Sequence, residues 1–283
     1  MARLVHLSDL HFGRTRPELL DPLVARVNAL APDLVAVSGD LTQRARPGQF
    51  RDAAALLERL EAPCLVVPGN HDVPLYNFLF RIFRPFRRYR ATFGEDKEPK
   101  RILGDVAVIG VNSVDPRRHQ RGRMDADRLA KVTRRLTALP EDTLKVIVMH
   151  HPIVHPPGSD KAPMAGAHAA ARAFSDAGAD IVLTGHLHLW GAEPFEMPQG
   201  RALLFVQAGT GLSTRKRGEP NDFNLIDCGP GRAEVTRYCA SDETGTFEPA
   251  APETFEDGPE GWRRAGEPEA LPVRDAVVES EPA

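Results

Sequence analysis

Apolar residues along the chain fall into short continuous runs, and five of these runs end on a cluster of polar, chemically active side chains. Leu4 to Leu7 leads to Asp9 and His11, and Leu34 to Val37 leads to Gly39-Asp40. Leu65 to Val67, closed by Pro68, leads to Gly69-Asn70-His71-Asp72. Val146 to Met149 leads to His150-His151, and Ile181 to Leu183 to Gly185-His186-Leu187-His188. Runs of this length bounded by turn residues read as buried strands. Between them the spacing changes to that of a helix: Leu20, Leu23, Val24, Val27 and Leu30 predict one over about Pro17 to Leu30. A second is predicted over Pro47 to Leu60, opening on a proline that a first turn tolerates. Others follow over about Asp125 to Leu139 and, rich in alanine, Pro163 to Ala177. Alternating strands and helices argue for α/β layers with ligands at the carboxyl ends of the strands.

Two stretches depart from this alternation. Leu75 to Gly94 interleaves Tyr76, Phe78, Phe80, Phe83, Phe86 and Tyr89 with Arg81, Arg84, Arg87, Arg88 and Arg90, and reads as a helical cap interrupted near Pro85. Asp105 to Val111 returns to a strand that ends at Asn112-Ser113. From Arg201 the runs Ala202 to Gln207, Phe223 to Asp227 and Ala233 to Tyr238 are separated by turns such as Gly229-Pro230-Gly231, the texture of antiparallel strands. The expected architecture is α/β, two packed mixed β-sheets flanked by helices, formed by residues 1–240 with the cap as an insertion over 74–94.

Composition bounds this reading without choosing a function. The chain has 283 residues, 42% of them hydrophobic, enough for one sizeable core. No basic region followed by a long apolar stretch opens the chain, and no run approaches the roughly 18 to 20 apolar residues of a membrane span. Cys64, Cys228 and Cys239 are odd in number and lack a C-x-x-C pairing, so buried free thiols and a reducing, cytoplasmic setting are expected. The net charge of −3 is uneven: residues 241–283 carry twelve acidic and three basic side chains, leaving the first 240 at +6. That acidic segment also holds six prolines and no apolar periodicity, and is expected to be a flexible tail.

The polar clusters supply the chemistry. Asp9 and His11, two residues apart, and His186 and His188 with the same spacing would each place both side chains on one side of an extended backbone and grip one ion. Asp9, His11, Asp40, Asn70, His150, His186 and His188 offer oxygen and imidazole ligands and no thiolate, which suits Mn, Fe or Zn. Seven ligands are too many for one tetrahedral ion. Two ions sharing a carboxylate resolve this, with Asp40 as the bridge. Such a pair, about 3.5 to 4 Å apart, clamps a phosphoryl group and lowers the pKa of water toward about 7.

This pattern resembles the calcineurin-like metallophosphoesterase superfamily through all five motif blocks, from Arg3 to His188. The resemblance implies Asp9, His11, Asp40 and His188 on one metal and Asp40, Asn70, His150 and His186 on the other. His150 rather than His151 is implied because the family's ligand stands two residues before a proline, here Pro152. His151 is then expected beside the ligands or facing solvent. His71 is implied as general acid or phosphate contact, oriented by Asp72. The segment Asp40-Leu41-Thr42-Gln43-Arg44-Ala45 lacks the Asp-Arg-Gly of the protein phosphatases, and Gln43 stands where purple acid phosphatases place a tyrosine ligand. His71 occupies a place that is commonly arginine in the hydrolases of UDP-diacylglucosamine. What remains is similar to the class III cyclic nucleotide phosphodiesterases and their glycerophosphodiesterase relatives. The implied reaction is phosphodiester hydrolysis by in-line attack of a metal-bound hydroxide, with cyclic AMP as the leading substrate. Alternatives are a pyrophosphohydrolase of a lipid-linked nucleotide diphosphate or a nuclease, and furthest from the motifs a non-catalytic scaffold.

Other residues carry two readings each. Asn112 contacts phosphate or merely forms a turn, and His155 lines a substrate pocket or is exposed with His119 and His168. His6, inside the first strand, reads as core or as a residue behind the ligands. In the cap, Arg81 and Arg84 contact an anionic substrate, or the arginines are solvated while the aromatic faces bury themselves. The same face could rest on anionic lipid as a peripheral membrane contact; nucleic acid is not favoured, and a homo-oligomer is left open.

Overall fold

The structure, a computed structural model, describes residues 1–76, 78–155, 161–196 and 200–266. Its first sheet is built on three parallel strands, β1 (Ala2–Leu7), β2 (Leu34–Val37) and β3 (Cys64–Val66). The second is built on β5 (Val106–Gly110), β6 (Leu144–Val148), β7 (Ile181–Thr184) and β9 (Leu203–Gln207), also parallel, with β4 (Lys100–Leu103) and β8 (Gly191–Phe195) antiparallel at its edges. Beyond β1, the antiparallel strands β10 (Asp222–Gly229) and β11 (Arg232–Ala240) extend the first sheet. Both sheets are therefore mixed, as expected.

Strand alternation decides which residues face which layer. Leu4, Leu34 and Ala36 of the first sheet meet Val146, Val148, Ile181 and Leu183 of the second in one buried layer. The intervening Val5, Leu7, Val35 and Val37 pack against α1 (Leu20–Ala29) and α2 (Pro47–Leu57). On the far side Ile147, Met149 and Val182 pack against α5 (Ala126–Thr137) and α6 (Ala167–Asp176). Asp125 caps α5 by accepting from the Arg128 backbone at 3.2 Å. The helices end one to three residues short of the predicted limits at their carboxyl ends, and α6 begins four residues later than the sequence suggests. No helix among the described residues is long and apolar enough to cross a membrane.

The expected loose tail is corrected. β12 (Phe247–Pro249) and β13 (Glu253–Gly258) both pair with β11, and β14 (Gly261–Arg264) pairs with β13, so residues 247–264 complete the first sheet. Phe247 and Phe255 are fully buried and Trp262 nearly so, the last two inside the layer between the sheets. Each short strand carries one or two inward apolar residues among charged ones, too few to register as a periodicity. The acidic excess is met locally, Glu256 by Arg263, Glu253 by Arg264 and Asp257 by Arg201. Residues 267–283 lie outside the described residues.

The cap is two helices, α3 (Phe78–Phe83) and α4 (Arg87–Phe93), broken around Pro85 as expected. In α4, Tyr89 is fully buried and its hydroxyl donates to the Val66 carbonyl at 2.9 Å. In α3 the polarity is inverted. Arg81 is buried and donates to the carbonyls of Pro116, Arg118 and Pro74, while Leu79 and Phe83, two residues to either side, are exposed with Tyr76.

Candidate metal centre

The carboxyl ends of the parallel strands in both sheets point to the same end of the molecule, and the loops there bring all seven sequence-predicted ligands together. Among the described residues the non-glycine positions with left-handed backbone are Asp9, His11, Ala31, Asp40, Ala45, His186 and His188, with φ between 46° and 73°. Five of these seven are predicted ligands. Asp9 and His11 thus converge through left-handed turns rather than the extended backbone expected for them, and His186 and His188 use the same device. Close approach of the loops requires glycine: a Cβ at Gly69 would lie 2.2 Å from Asp40 Oδ1, and one at Gly185 would lie 1.8 Å from Ser8 Oγ.

Asp9, His11 and His188 form one half of the site. Asp9 Oδ2 accepts from Ser8 Oγ at 2.7 Å and from the His186 backbone at 2.8 Å. Its Oδ1 lies 3.3 Å from His11 Nε2 and 3.0 Å from His188 Nε2, yet is buried without a hydrogen bond. A carboxylate oxygen and two imidazole nitrogens facing one point is the donor set of a cation. In the other half Asp40 Oδ2 is 3.3 Å from His150 Nε2, which is 3.2 Å from Asn70 Oδ1 and 3.3 Å from His186 Nδ1. The same Asp40 oxygen is 3.7 Å from His11 Nε2. Asp40 therefore faces both halves, as the bridging expectation requires, and its Oδ1 accepts from the His71 backbone at 2.8 Å.

Neighbouring carbonyls set the imidazole tautomers. His150 Nδ1 donates to the Ser38 carbonyl and His188 Nδ1 to the Arg215 carbonyl, each at 2.8 Å, turning both Nε2 lone pairs inward. Buried His6 meets Ser38 Oγ at 2.9 Å, so this core histidine braces the loop that orients His150. Burial alone would lift the Asp9 and Asp40 carboxyls. For Asp9 the imidazoles of His188 and His11, and for Asp40 those of His150 and His71, reverse this and hold both well below the carboxylate range. Burial also drives His11 down to about 4 and His186 well below its ordinary value. At His150 burial acts in the same direction, but the charge of Asp40 outweighs it and raises the ring to about 9.

Several expectations for the surrounding residues are corrected. Asp72 does not orient His71: it accepts from the backbones of Gly69, Thr42 and Leu41 and from the Thr42 hydroxyl, at 2.9 to 3.2 Å, and so ties two loops together. Burial, with Asp40 nearby, pushes its carboxyl up to about 7. The partner that orients His71 is the Gln43 carbonyl, 2.9 Å from Nδ1. His151 takes the first of its two expected places, buried beside the predicted ligands His150 and His186. Its Nδ1 meets Ser113 Oγ at 2.8 Å and its Nε2 the Gln120 carbonyl at 3.0 Å, which leaves no nitrogen for a metal. Asn112 Oδ1 accepts from the Val114 backbone at 3.1 Å, the turn reading. Arg81 is spent on three carbonyls, and Arg84 is exposed in the turn after α3. His155 is half-buried beside Lys161, while His119 and His168 are exposed as expected. Sequence reasoning missed Lys161, which donates to the His186 carbonyl, and Arg215, within 3.3 Å of His71 Nε2. The basic run Arg215-Lys216-Arg217 was the one visible signal.

Comparison with known proteins agrees with this geometry. The model of the calcineurin-like phosphoesterases matches residues 2–189. A glycerophosphodiester phosphodiesterase, GpdQ of Enterobacter lignolyticus, is 36% identical over 80 residues, 24% of this chain and 29% of that protein. A probable cyclic nucleotide phosphodiesterase of Vesicomyosocius okutanii is 23% identical over 158 residues, 53% of this chain and 62% of its own. The chain thus spans less than two thirds of the length of either relative. A dimetal phosphatase of Danio rerio shares the fold, with a TM-score of 0.61 at 12% identity over 89% of this chain and 98% of that one.

Proposed function

Because the chain belongs to the calcineurin-like phosphoesterase family, we propose that it is a metal-dependent phosphodiesterase acting on small phosphodiesters, with a cyclic nucleotide as the leading substrate. The observation that carries this reading is the buried Asp9 Oδ1, which has no hydrogen-bond donor although two inward-turned imidazole nitrogens lie within 3.3 Å. Asp9, His11, Asp40 and His188 would hold one cation, and Asp40, Asn70, His150 and His186 the other. When bound, a pair of Mn, Fe or Zn ions supplies Lewis-acid polarisation of the phosphoryl oxygens and a nucleophile at neutral pH.

The chain's own residues supply the remaining work. His71 Nδ1 is held by the Gln43 carbonyl, so Nε2, beside Arg215, is the nitrogen that would place a proton on the departing ester oxygen. Its backbone nitrogen is fixed on Asp40 Oδ1, which sets its distance from the ligands. Gln43, Asn70, His71, Val73, Leu75 and His119 line a small recess beside that ring.

The test is hydrolysis of 3′,5′-cyclic AMP and bis(p-nitrophenyl) phosphate by Mn-reconstituted protein, with Asn70→Ala as the control. Turnover of both supports the cyclic nucleotide reading. Turnover of the synthetic diester alone keeps the diesterase reading and moves the substrate to another class, and turnover of neither overturns it. A second reading, hydrolysis of a lipid-linked nucleotide diphosphate at a membrane surface, is favoured by the exposure of Tyr76, Leu79 and Phe83, which follow Leu75 of the recess in the chain.

A further inference from the structure

The loop after β9 closes the site, and it lies beyond the part of the chain that the family model matches. It is stapled to the first ligand loop by its own backbone and small polar side chains. Thr210 Oγ1 donates to the Asp9 carbonyl at 2.8 Å, Gly211 N to the Ser8 carbonyl at 2.9 Å, and Ser213 N to Thr210 Oγ1 at 3.1 Å. Buried Asn221 donates to the carbonyls of Thr210 and Ser213. Arg215 follows directly, its nitrogen donating to Ser213 Oγ at 3.0 Å and its carbonyl accepting from His188 Nδ1. The backbone of Arg215 is therefore fixed against a predicted ligand, and its half-buried side chain reaches across to place Nη1 3.3 Å from His71 Nε2.

No carboxylate among the described residues meets its charge. Cations nearby are otherwise employed: Lys216 pairs with Asp242, Arg237 with Glu219 and Asp222, Arg44 donates to the Gln43 carbonyl, and Lys161 to the His186 carbonyl. Among the described residues Arg215 has no carboxylate within 4 Å, and the acceptor its side chain meets is an imidazole nitrogen. That acceptor is the one the reaction requires. A guanidinium offers five N–H donors in a fixed fork, and this one contact leaves the others for an anion at the site. We propose that Arg215 is a substrate-binding residue whose guanidinium grips non-bridging oxygens of the phosphoryl group. This inference rests on the phosphodiesterase reading above. A planar fork of N–H donors matches two phosphate oxygens. In the transition state, where charge spreads over the equatorial oxygens, its grip strengthens.

The experiment compares wild type with Arg215→Ala, Arg215→Gln and Arg215→Lys, all Mn-reconstituted. Because His188 is held by the Arg215 carbonyl, each substitution leaves that bond in place, and elemental analysis should find the wild-type metal content. For bis(p-nitrophenyl) phosphate, kcat/KM should fall by about 10²-fold in the Ala and Gln proteins, as for loss of one donor to a developing oxyanion. Added guanidinium ion should restore part of the loss in Arg215→Ala, and Arg215→Lys should keep part of it. Calorimetric titration with inorganic phosphate gives a reading independent of turnover: binding to the loaded wild type should be about tenfold tighter than to Arg215→Ala. Equal phosphate affinity, or full turnover in Arg215→Ala, overturns the inference while leaving the diesterase reading intact. Metal loss in the Ala and Gln proteins also overturns it, because Arg215 would then serve the His188 loop. An inactive wild type that still binds phosphate through Arg215 would instead remove the diesterase reading.

Discussion

Replacing Gly69 with alanine tests the two-sheet convergence that makes the site. A Cβ there would stand 2.2 Å from both the backbone nitrogen and Oδ1 of Asp40, where ordinary contact begins at 3.4 Å. Gly69 has φ −103°, a conformation alanine adopts freely, so the whole effect is steric. The chains must part by about 1 Å, and the two atoms in the way are a backbone nitrogen and a carboxylate that also anchors the His71 backbone. Overpacking of this kind costs about 1–3 kcal/mol, and at about 2–4 °C per kcal/mol for a domain of this size melting should fall only modestly. Misplacement by about 1 Å of groups that act on the reacting atoms costs on the order of 10²-fold in rate. Turnover of bis(p-nitrophenyl) phosphate should therefore collapse, with reduced Mn content, in a protein that still melts cooperatively. Gly48→Ala, whose Cβ would meet Arg51 at an ordinary 3.8 Å, is the control and should match wild type. A Gly69→Ala protein with wild-type metal content and turnover would refute the claim that Asp40 bridges at that point of contact.

Three further outcomes are expected. His71→Ala should lower turnover by about 10²–10⁴-fold with both metals retained in elemental analysis, and loss of metal would make His71 a ligand instead. Truncation after Ala240 removes Phe247, Phe255 and Trp262 from the core, each worth about 1.5–3 kcal/mol of burial, so the product should melt far below wild type or fail to fold; Trp262→Ala alone should cost about 3–5 kcal/mol in denaturant titration. An unchanged midpoint for either would show that β12 to β14 are dispensable. Burial pushes Cys64 up to about 11 and Cys228 up to about 12, so the thiolate is scarce at pH 8 and grows only as pH rises toward those values. Alkylation of the native protein at pH 8 should be slow at both and accelerate with pH; rapid labelling of Cys228 would contradict its burial.

The ligand constellation was legible because each strand end is a local event. A buried apolar run must stop somewhere, and a polar cluster at five such stops can be read without knowing how the strands pair. Asp72 was misread for the complementary reason. Its place beside His71 in the chain suggested an imidazole partner, yet Gly69, Leu41 and Thr42 offer backbone donors from across the turn, and a buried carboxylate goes where donors are. Arg215 and the Gln43 carbonyl are long-range or backbone contributions that spacing does not encode. The segment after Ala240 was misjudged because edge strands with one inward side chain each look like a charged linker. Phe255 and Trp262 gain their meaning only from the layer they enter.

The left-handed backbone at Asp9, His11, Asp40, His186 and His188 ties these observations together. Such a conformation costs a non-glycine residue about 1–2 kcal/mol, and five together survive only where the surroundings dictate them. The loops do so in large part by hydrogen-bonding to one another. Asp9 N donates to the Gly39 carbonyl, His11 N to the Asp40 carbonyl, and Gly185 N to the His150 carbonyl, at 2.9 to 3.1 Å. Loops of neighbouring strands thus hold one another, and Asp9 Oδ2 links the first to the last through the His186 backbone. Glycine would relieve the strain at any of these five positions but remove the ligand, and an extended residue would keep the side chain but aim it elsewhere. The strain is therefore the means by which Asp9 with His11, and His186 with His188, place both side chains of an i, i+2 pair on the site. Their orientation is set by the loops that hold them.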